Sequence, residues 1–452
     1  MSNHSELSAK FVSNRQRAKW HSDALWFVRQ KRDLAIKELP EWESLREAAN
    51  RIKNHTISNL KYYLEEFEKN ATANKIEIFW AKDAKEHNEI IKSLLEDIGA
   101  KRVVKSKSML TEECGLNHYL EQNGFSVVDT DLGERIVQLA KEPPSHIVLP
   151  AIHLKKEDVS NIFHKTLNSQ KDNTSPEYLT QVAREDLREQ FLKADAAITG
   201  VNFALAKEGG FVVCTNEGNA DLGVALPKLH IASMGLEKVI PSKKELAIFL
   251  RLLARSATGQ PITTYTSHFF APKPDGRLVV IIVDNGRSEL LKRRKELLRC
   301  IRCGACMNTC PVYRRSGGHS YESVVPGPIG SAIESIKKPI SKASLAFACT
   351  LCGSCDNVCP VKIPLHKILK DNRKYTIKAP TFKGKKRGLK VLFFILNHPK
   401  IYRFFIWFYK KVLLKLPKSI IYNRFNAWGK GRLMPNPAKE SFEEMFKRRK
   451  DA

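Results

Sequence analysis

The sequence predicts an α/β layer on a mostly parallel sheet, with helices before it and a helical cysteine-rich module and a basic helical tail after it. Three observations carry this reading. Between residues 74 and 285 short apolar runs alternate with amphipathic segments, the pattern of successive strand–helix units. Eight of the ten cysteines fall in two short runs between Cys300 and Cys359. Residues 372–452 hold 22 Lys/Arg against 4 Asp/Glu and so carry most of the formal net charge of +28.

Residues 1–73 read as a helical segment. Leu25, Val28, Leu34 and Ile36, then Leu60, Tyr63, Leu64 and Phe67, recur at roughly helical spacing. Pro40 divides two helical stretches, and Asn70-Ala71-Thr72 reads as the exit from the second. Within 74–285, strands are expected at 76–80, 102–104, 126–128, 146–149, 211–214, 230–233 and 278–283. Helices are expected between several of them, at 83–98, 134–141 and 156–167. Residues 200–218 read as a hairpin turning at Gly209-Gly210.

The length of 452 residues suits roughly three domains. With 42% hydrophobic and 27% charged residues, the composition is that of a folded chain rather than a disordered one. No stretch approaches the roughly 18 apolar residues of a spanning helix, and the N-terminus has no apolar signal core. The expectation is a cytoplasmic protein, free or bound peripherally at the inner face of the membrane.

Cysteine use points to metal. The first run is Cys300-Ile-Arg-Cys303-Gly-Ala-Cys306-Met-Asn-Thr-Cys310-Pro311, and the second is Cys349-Thr-Leu-Cys352-Gly-Ser-Cys355-Asp-Asn-Val-Cys359-Pro360. Both are C-x2-C-x2-C-x3-C-P, the spacing of bacterial two-cluster ferredoxins. Three cysteines on a tightly curled loop reach three corners of an iron–sulfur cube, and the fourth ligand must come from elsewhere. Gly304 and Gly353 let the backbone wrap close, and the prolines turn the chain away. The rule that the fourth cysteine serves the other cluster assigns Cys300, Cys303, Cys306 and Cys359 to one [4Fe–4S] cluster. It assigns Cys349, Cys352, Cys355 and Cys310 to the second. Zinc sites usually pair two C-x2-C knuckles instead of placing four cysteines in one run. The spacer 311–348 is long for a small ferredoxin, and helices are expected at 331–337 and 343–348. A helical ferredoxin module over 286–371 follows.

The α/β region has no P-loop and no G-x-G-x-x-G after a strand, which removes nucleotide hydrolysis and an ordinary dinucleotide site. Two loops there could hold an anion: Lys105-Ser106-Lys107-Ser108 and Asn216-Glu217-Gly218-Asn219. Each reads equally well as a cap or a turn. His146, His153, His164 and His230 read as satisfied structural histidines, and Cys114 and Cys214 as buried thiols. No catalytic residue is assigned.

Several of these stretches carry a resemblance. VVKSKSMLTEECGLNHYLEQNGFSVVDTDLGERIVQL, PPSHIVLPAIH and ADAAITGVNFALAKEGGFVVCTNEGNADLGVALPKLHIASMGLEKVIP resemble the LUD domain of the lactate utilization protein B family. The order of LUD domain, two ferredoxin motifs, and basic tail with Trp428 and MPNPAKESFEEMF is similar too. The resemblance implies a LUD fold over 74–285, related to phosphosugar-isomerase and CoA-transferase-like folds. It also implies an iron–sulfur subunit of a three-protein complex that oxidises L-lactate to pyruvate. Its two partners would be a cysteine-rich protein and a second LUD-domain protein. The chain shows no flavin or nicotinamide signature, so it is read as a subunit and not as a complete enzyme. Service to another 2-hydroxy acid such as glycolate is the near alternative. A redox-sensing protein bound to nucleic acid is the distant one, since no nucleic-acid-binding module accompanies the charge.

In the tail, 372–452, aromatic residues and cations alternate through 391–416. A helix there would be apolar over a wide arc with a cationic margin, suited to a partner subunit or to an anionic membrane surface.

Overall fold

The computed structural model describes residues 4–376, 383–421, 438 and 440–450. Contacts divide the chain into two units, 1–377 and 378–452.

Ten strands lie in the first unit: β1 (Glu77–Ala81), β2 (Arg102–Lys105), β3 (Ser126–Asp129), β4 (Ala196–Gly200), β5 (Phe203–Leu205), β6 (Gly210–Thr215), β7 (Leu229–Gly235), β8 (Val239–Ile240), β9 (Tyr265–Phe269) and β10 (Arg277–Val283). Six form a sheet in the order β1-β10-β7-β4-β2-β3, parallel throughout. β4 and β7 are buried along their whole length, as a parallel sheet covered on both faces requires. In β10 the period of two is explicit. Val279, Ile281 and Val283 enter one core cluster and Val280 and Ile282 the other. The remaining four strands form a second sheet, β8-β5-β6-β9. Its β5–β6 pair is the antiparallel hairpin expected around Gly209-Gly210.

Three strands, β4, β8 and β9, have no counterpart in the sequence reading. One expected strand is absent. Residues 146–149 form no strand, because the backbone folds onto His146: its Nδ1 accepts from the N–H groups of Val148 and Leu149, both at 3.0 Å. The ring's Nε2 then carries the proton and donates to Asn308 Oδ1 at 2.9 Å. Burial pushes this histidine down to about 3, so it stays neutral and keeps that tautomer.

The loop around His146 is one side of a joint between the sheet domain and the cysteine module. Tyr313, fully buried, donates its hydroxyl to Ser145 O at 2.6 Å. The N-terminal helices form the other side. From Arg15–Lys37, His21 reaches Arg314 O and Arg32 donates to Val358 O. From Trp42–Ser58, Arg46 donates to Cys359 O and Asn50 to Val361 O. One continuous core holds Leu25, Trp42, Phe249, Leu297, Tyr313 and Ile368 together with the cysteine loops. The module shares its core with the helices and the small sheet.

The second unit holds the helices Lys383–Asn397, Pro399–Lys411 and Phe442–Lys450. Phe393, Phe394, Phe404, Phe405 and Trp407 are exposed on it. Among the described residues no helix is long and apolar enough to cross a membrane. Trp428 lies outside the described residues.

The tightness of the joint gives a test. A Cβ on Gly318 would lie 1.8 Å from Ser145 O, too close for anything but a backbone shift. Gly318→Ala should cost about 1–3 kcal/mol, read as a lower midpoint in thermal unfolding of the whole chain. An unchanged midpoint would mean that the joint is loose.

Candidate functional site

The two cysteine loops share one backbone. Arg302 and Leu351 sit at φ +59° and +60°, and Gly304 and Gly353 at +76° and +74°. Cys310 and Cys359 both have ψ 118°. In each loop two residues lie in the left-handed region, where a residue with a Cβ stores strain of about 1–2 kcal/mol. That curl brings the N–H of Arg302 to 3.4 Å from Cys300 Sγ and that of Leu351 to 3.3 Å from Cys349 Sγ. Further along, Tyr313 N–H meets Cys310 Sγ at 3.5 Å and Ile363 N–H meets Cys359 Sγ at 3.4 Å. Short helices follow the glycines, Ala305–Thr309 and Ser354–Val358, and touch through Thr309 Oγ1 and Ser354 Oγ.

The sulfurs also converge across the loops. Cys303 interacts electrostatically with Cys359 and Cys300, and Cys306 with Cys300, Cys303, Cys355 and Cys359. Cys310 interacts with Cys349 and Cys352, and Cys355 with Cys310 and Cys349. None of the eight is in a disulfide. Burial pushes Cys310 and Cys359 up to about 11. Thiols held in this way become thiolates by binding a cation, and an all-sulfur donor set selects a soft metal or an iron–sulfur cluster. The residues fit the group that the spacing implies.

Next to the first loop is a cavity of about 300 Å³, lined at one point by Cys303 and Arg302. It lies beyond the C-terminal ends of β2, β4 and β7. The chain leaves β2 outward to β3 but leaves β4 toward β7, so the topology reverses between β2 and β4. Parallel sheets open a crevice for ligands at such a point.

The cavity receives part of each proposed anion loop. Lys107 and Ser108 line it, as do Asn216, Glu217 and Asn219. Gly218, at φ +67°, instead packs on the Tyr265 ring. Lys105 is turned away from ligand use: it is fully buried, with Asp129 at 2.6 Å, Glu112 at 3.0 Å and Glu134 at 3.8 Å. Burial opposes its charge, but the three carboxylates outweigh it and hold its pKa well above the ordinary value. Ser106 is buried beside it, and its hydroxyl has no partner. Burial and then Asp131 push Glu217 up to about 7.

A second charged group, absent from the sequence reading, lies where this cavity meets the module. Arg287 pairs with Glu237 at 2.6 Å and Glu113 at 3.0 Å, and Arg302 pairs with Glu113 at 3.0 Å. Burial would raise Glu237, but Arg287 and Arg302 hold it at about 2. Lys238, half-buried, also lines the cavity. Its only signal in the sequence was its place just after an apolar run. His153, Glu142 and His319 form an outlying cluster, with His153 Nε2 at 2.8 Å from Glu142. His164 bonds Ser169 O, and His230 bonds Thr199 inside the sheet.

A parallel α/β domain joined rigidly to a paired cysteine module defines an iron–sulfur protein of the LUD class. Residues 64–290 match the LUD domain, 296–363 a 4Fe-4S dicluster domain, and 384–451 the C-terminal domain of lactate utilisation protein B. The lactate utilization protein B of Macrococcus caseolyticus is 38% identical over 93% of this chain and 92% of its own length. That of Geobacillus thermodenitrificans is 40% identical over 92% and 90%. An uncharacterized electron transport protein of Escherichia coli, YkgF, is 40% identical over 92% and 90%. The chain belongs to the lactate utilization protein B family, and its cofactors are [4Fe–4S] clusters, two of them in keeping with a dicluster domain.

The buried carboxylates around Lys105 predict a pH dependence. Burial lifts Glu134 from 4.5 to about 8 against the pull of Lys105, with Asp129 and Glu112 adding to the rise. The folded state therefore holds this proton more tightly than the unfolded chain. Stability attributable to Glu134 is fully present below about pH 4.5 and is lost as pH rises through about 8. Glu134→Gln should raise the thermal midpoint more at pH 8 than at pH 5; equal shifts at both values would refute the assignment.

Proposed function

We propose that this chain is the electron-carrying subunit of a complex that oxidises L-lactate to pyruvate and so allows growth on lactate. The reading rests chiefly on one observation: two cysteine loops of identical backbone, held in a shared core with a LUD domain. Family membership with proteins named for lactate utilization supplies the substrate. The oxidation releases two electrons and two protons, and each bound cluster supplies a one-electron carrier. Cys300, Cys303, Cys306 and Cys359 would hold one cluster and Cys349, Cys352, Cys355 and Cys310 the other. The convergence of sulfurs across the loops supports this crossing.

The chain's own residues arrange the surroundings. Arg46 and Arg373 donate to the carbonyls of Cys359 and Cys349, which fixes the loop ends and places positive charge near the sulfurs. Cys352 is exposed, which suits hand-over to a partner. The partners on this reading are a cysteine-rich protein and a second LUD-domain protein. The exposed aromatic and cationic residues within 391–416 would meet a subunit or a membrane surface. The division into 1–73, 74–285, 286–371 and 372–452 is a functional one on this reading: clamp, ligand domain, relay and docking tail.

Three measurements test it. Anaerobically purified protein should carry about eight irons per chain. Cys359→Ala should abolish the same electron paramagnetic resonance signal as Cys303→Ala, whereas Cys310→Ala abolishes the signal lost in Cys352→Ala. Pairing of Cys359 with Cys352 instead would overturn the crossing. A strain lacking the gene, and any redundant lactate dehydrogenase, should fail to grow on L-lactate as sole carbon source. Normal growth would remove the lactate assignment.

A further inference from the structure

The electron-carrying role makes no use of the cavity between the β2/β4 crevice and the Cys300–Cys306 loop. Its charged groups fall into two sets. Glu217 has Asp131 and Lys107 as its electrostatic neighbours. Lys238 has Glu237, Arg302, Cys300 and Arg287. The two sets occupy different parts of the wall, one beside the helix Leu132–Leu139, where Glu217 accepts from Leu132 N–H, and one beside the cysteine loop.

Most cations in the wall are already paired. Arg287 is shared between Glu113 and Glu237, and Lys107 donates to Val148 O at 2.8 Å with Asp131 at 3.8 Å. Lys238 makes no hydrogen bond or ion pair among the described residues. Arg302 Nη1 is buried and has no partner either. Lys238 feels Glu237 and the Cys300 sulfur but forms an ion pair with neither, and a buried donor left without an acceptor, as Arg302 Nη1 is, costs free energy that an anion in the cavity would relieve. The volume of about 300 Å³ lies at the small end for ligand pockets. A second negative charge on the ligand would meet Asp131 and Glu217.

We propose that this cavity binds a small monocarboxylate, with the carboxylate on Lys238 next to Arg302 and the acidic wall rejecting ligands of higher charge. The site would place its ligand against the Cys303 loop. This deepens the lactate reading and rests on it only for the choice of probe; the site itself stands on the cavity and its charges.

The test uses the full, cluster-loaded chain under anaerobic conditions. Isothermal titration with L-lactate and with pyruvate should show saturable binding by at least one of them, and oxalate and inorganic phosphate should bind at least ten-fold more weakly. Lys238→Met should weaken monocarboxylate binding on the order of ten- to hundred-fold, the worth of a charge-assisted bond. Its iron content and thermal midpoint should stay unchanged. Lys238→Arg should retain binding, and Glu217→Gln should narrow the gap between monocarboxylate and oxalate. Bound ligand should also perturb the electron paramagnetic resonance signal of the cluster that depends on Cys303. The proposal is overturned by no saturable binding, by a Lys238→Met protein that binds as the parent does, by oxalate or phosphate binding equally well, or by an unperturbed spectrum with ligand bound. Growth of the deletion strain on L-lactate would remove the lactate reading without touching these results. A growth defect beside absent binding would remove only the site.

Discussion

The first cysteine loop is fastened to the parallel sheet by a buried chain of charges, and the rest of the site follows from that fastening. Arg302 belongs to the loop, Glu113 follows β2, Glu237 follows β7 and Arg287 follows β10; their contacts run from 2.6 to 3.0 Å. Such a chain contributes little net stability, because four desolvated charges offset most of their own attraction. What it fixes is register. Loss of one member leaves an uncompensated buried charge, worth about 3–5 kcal/mol, so the loop has no alternative seat of similar energy. The cavity exists because the loop is held across the crevice and does not collapse into it.

The same backbone placed in two different fields gives the module its asymmetry. Arg32 acts on Cys303, and Lys53 lies close enough to Cys300 to feel it. Around the other loop Arg46 acts on Cys359 and Arg373 on Cys349, while the carboxylate of Asp356 sits against Cys355. A unit charge about 6 Å from another is worth about 3 kcal/mol at an effective dielectric near 20. That is more than a single N–H···S contact supplies, and such contacts occur equally in both loops. Charge and exposure, not local hydrogen bonding, separate the two loops.

Much of this architecture was legible from residue order, and its gaps have physical reasons. The parallel sheet showed itself through strands such as β7 and β10, whose apolar runs are long because both faces are covered. β4 was hidden because Ala196-Ala197-Ile198-Thr199-Gly200 is built of small residues. A Cβ on Gly200 would come 2.9 Å from that of Ser108, so the strand's smallness belongs to the crevice itself. Residues 146–149 read as a strand by composition, yet His146 bonds the backbone locally and points the segment at Asn308. The cysteines were plain because metal ligation fixes spacing. Lys105 reads in the sequence as part of an anion loop and Lys238 carries no comparable signal; only tertiary placement gives the first three carboxylates and sets the second in the mixed field of Glu237, Arg302 and Arg287. Arg32 and Arg46 carry no mark in the sequence that sets them apart from other helix cations, and the module buries them.

The two ends of the module differ in exposure, as the proposed relay to a partner would require. Cys303 is buried and faces the cavity, whereas Cys352 is exposed. The loops meet through Thr309 and Ser354, with Arg29 donating to Thr309 from the N-terminal helices. Their separation is therefore set by direct packing in one core and not by the length of the 311–348 spacer. On the proposed crossed ligation this arrangement is self-consistent: each loop needs a sulfur from the other, so neither can fold around its cluster alone. The clamp of N-terminal helices then has a clear purpose. It holds the ends of both loops through the backbone carbonyls of Arg314, Val358 and Cys359, and so, on the proposed ligation, fixes Cys310 and Cys359 as the ligands exchanged between the loops.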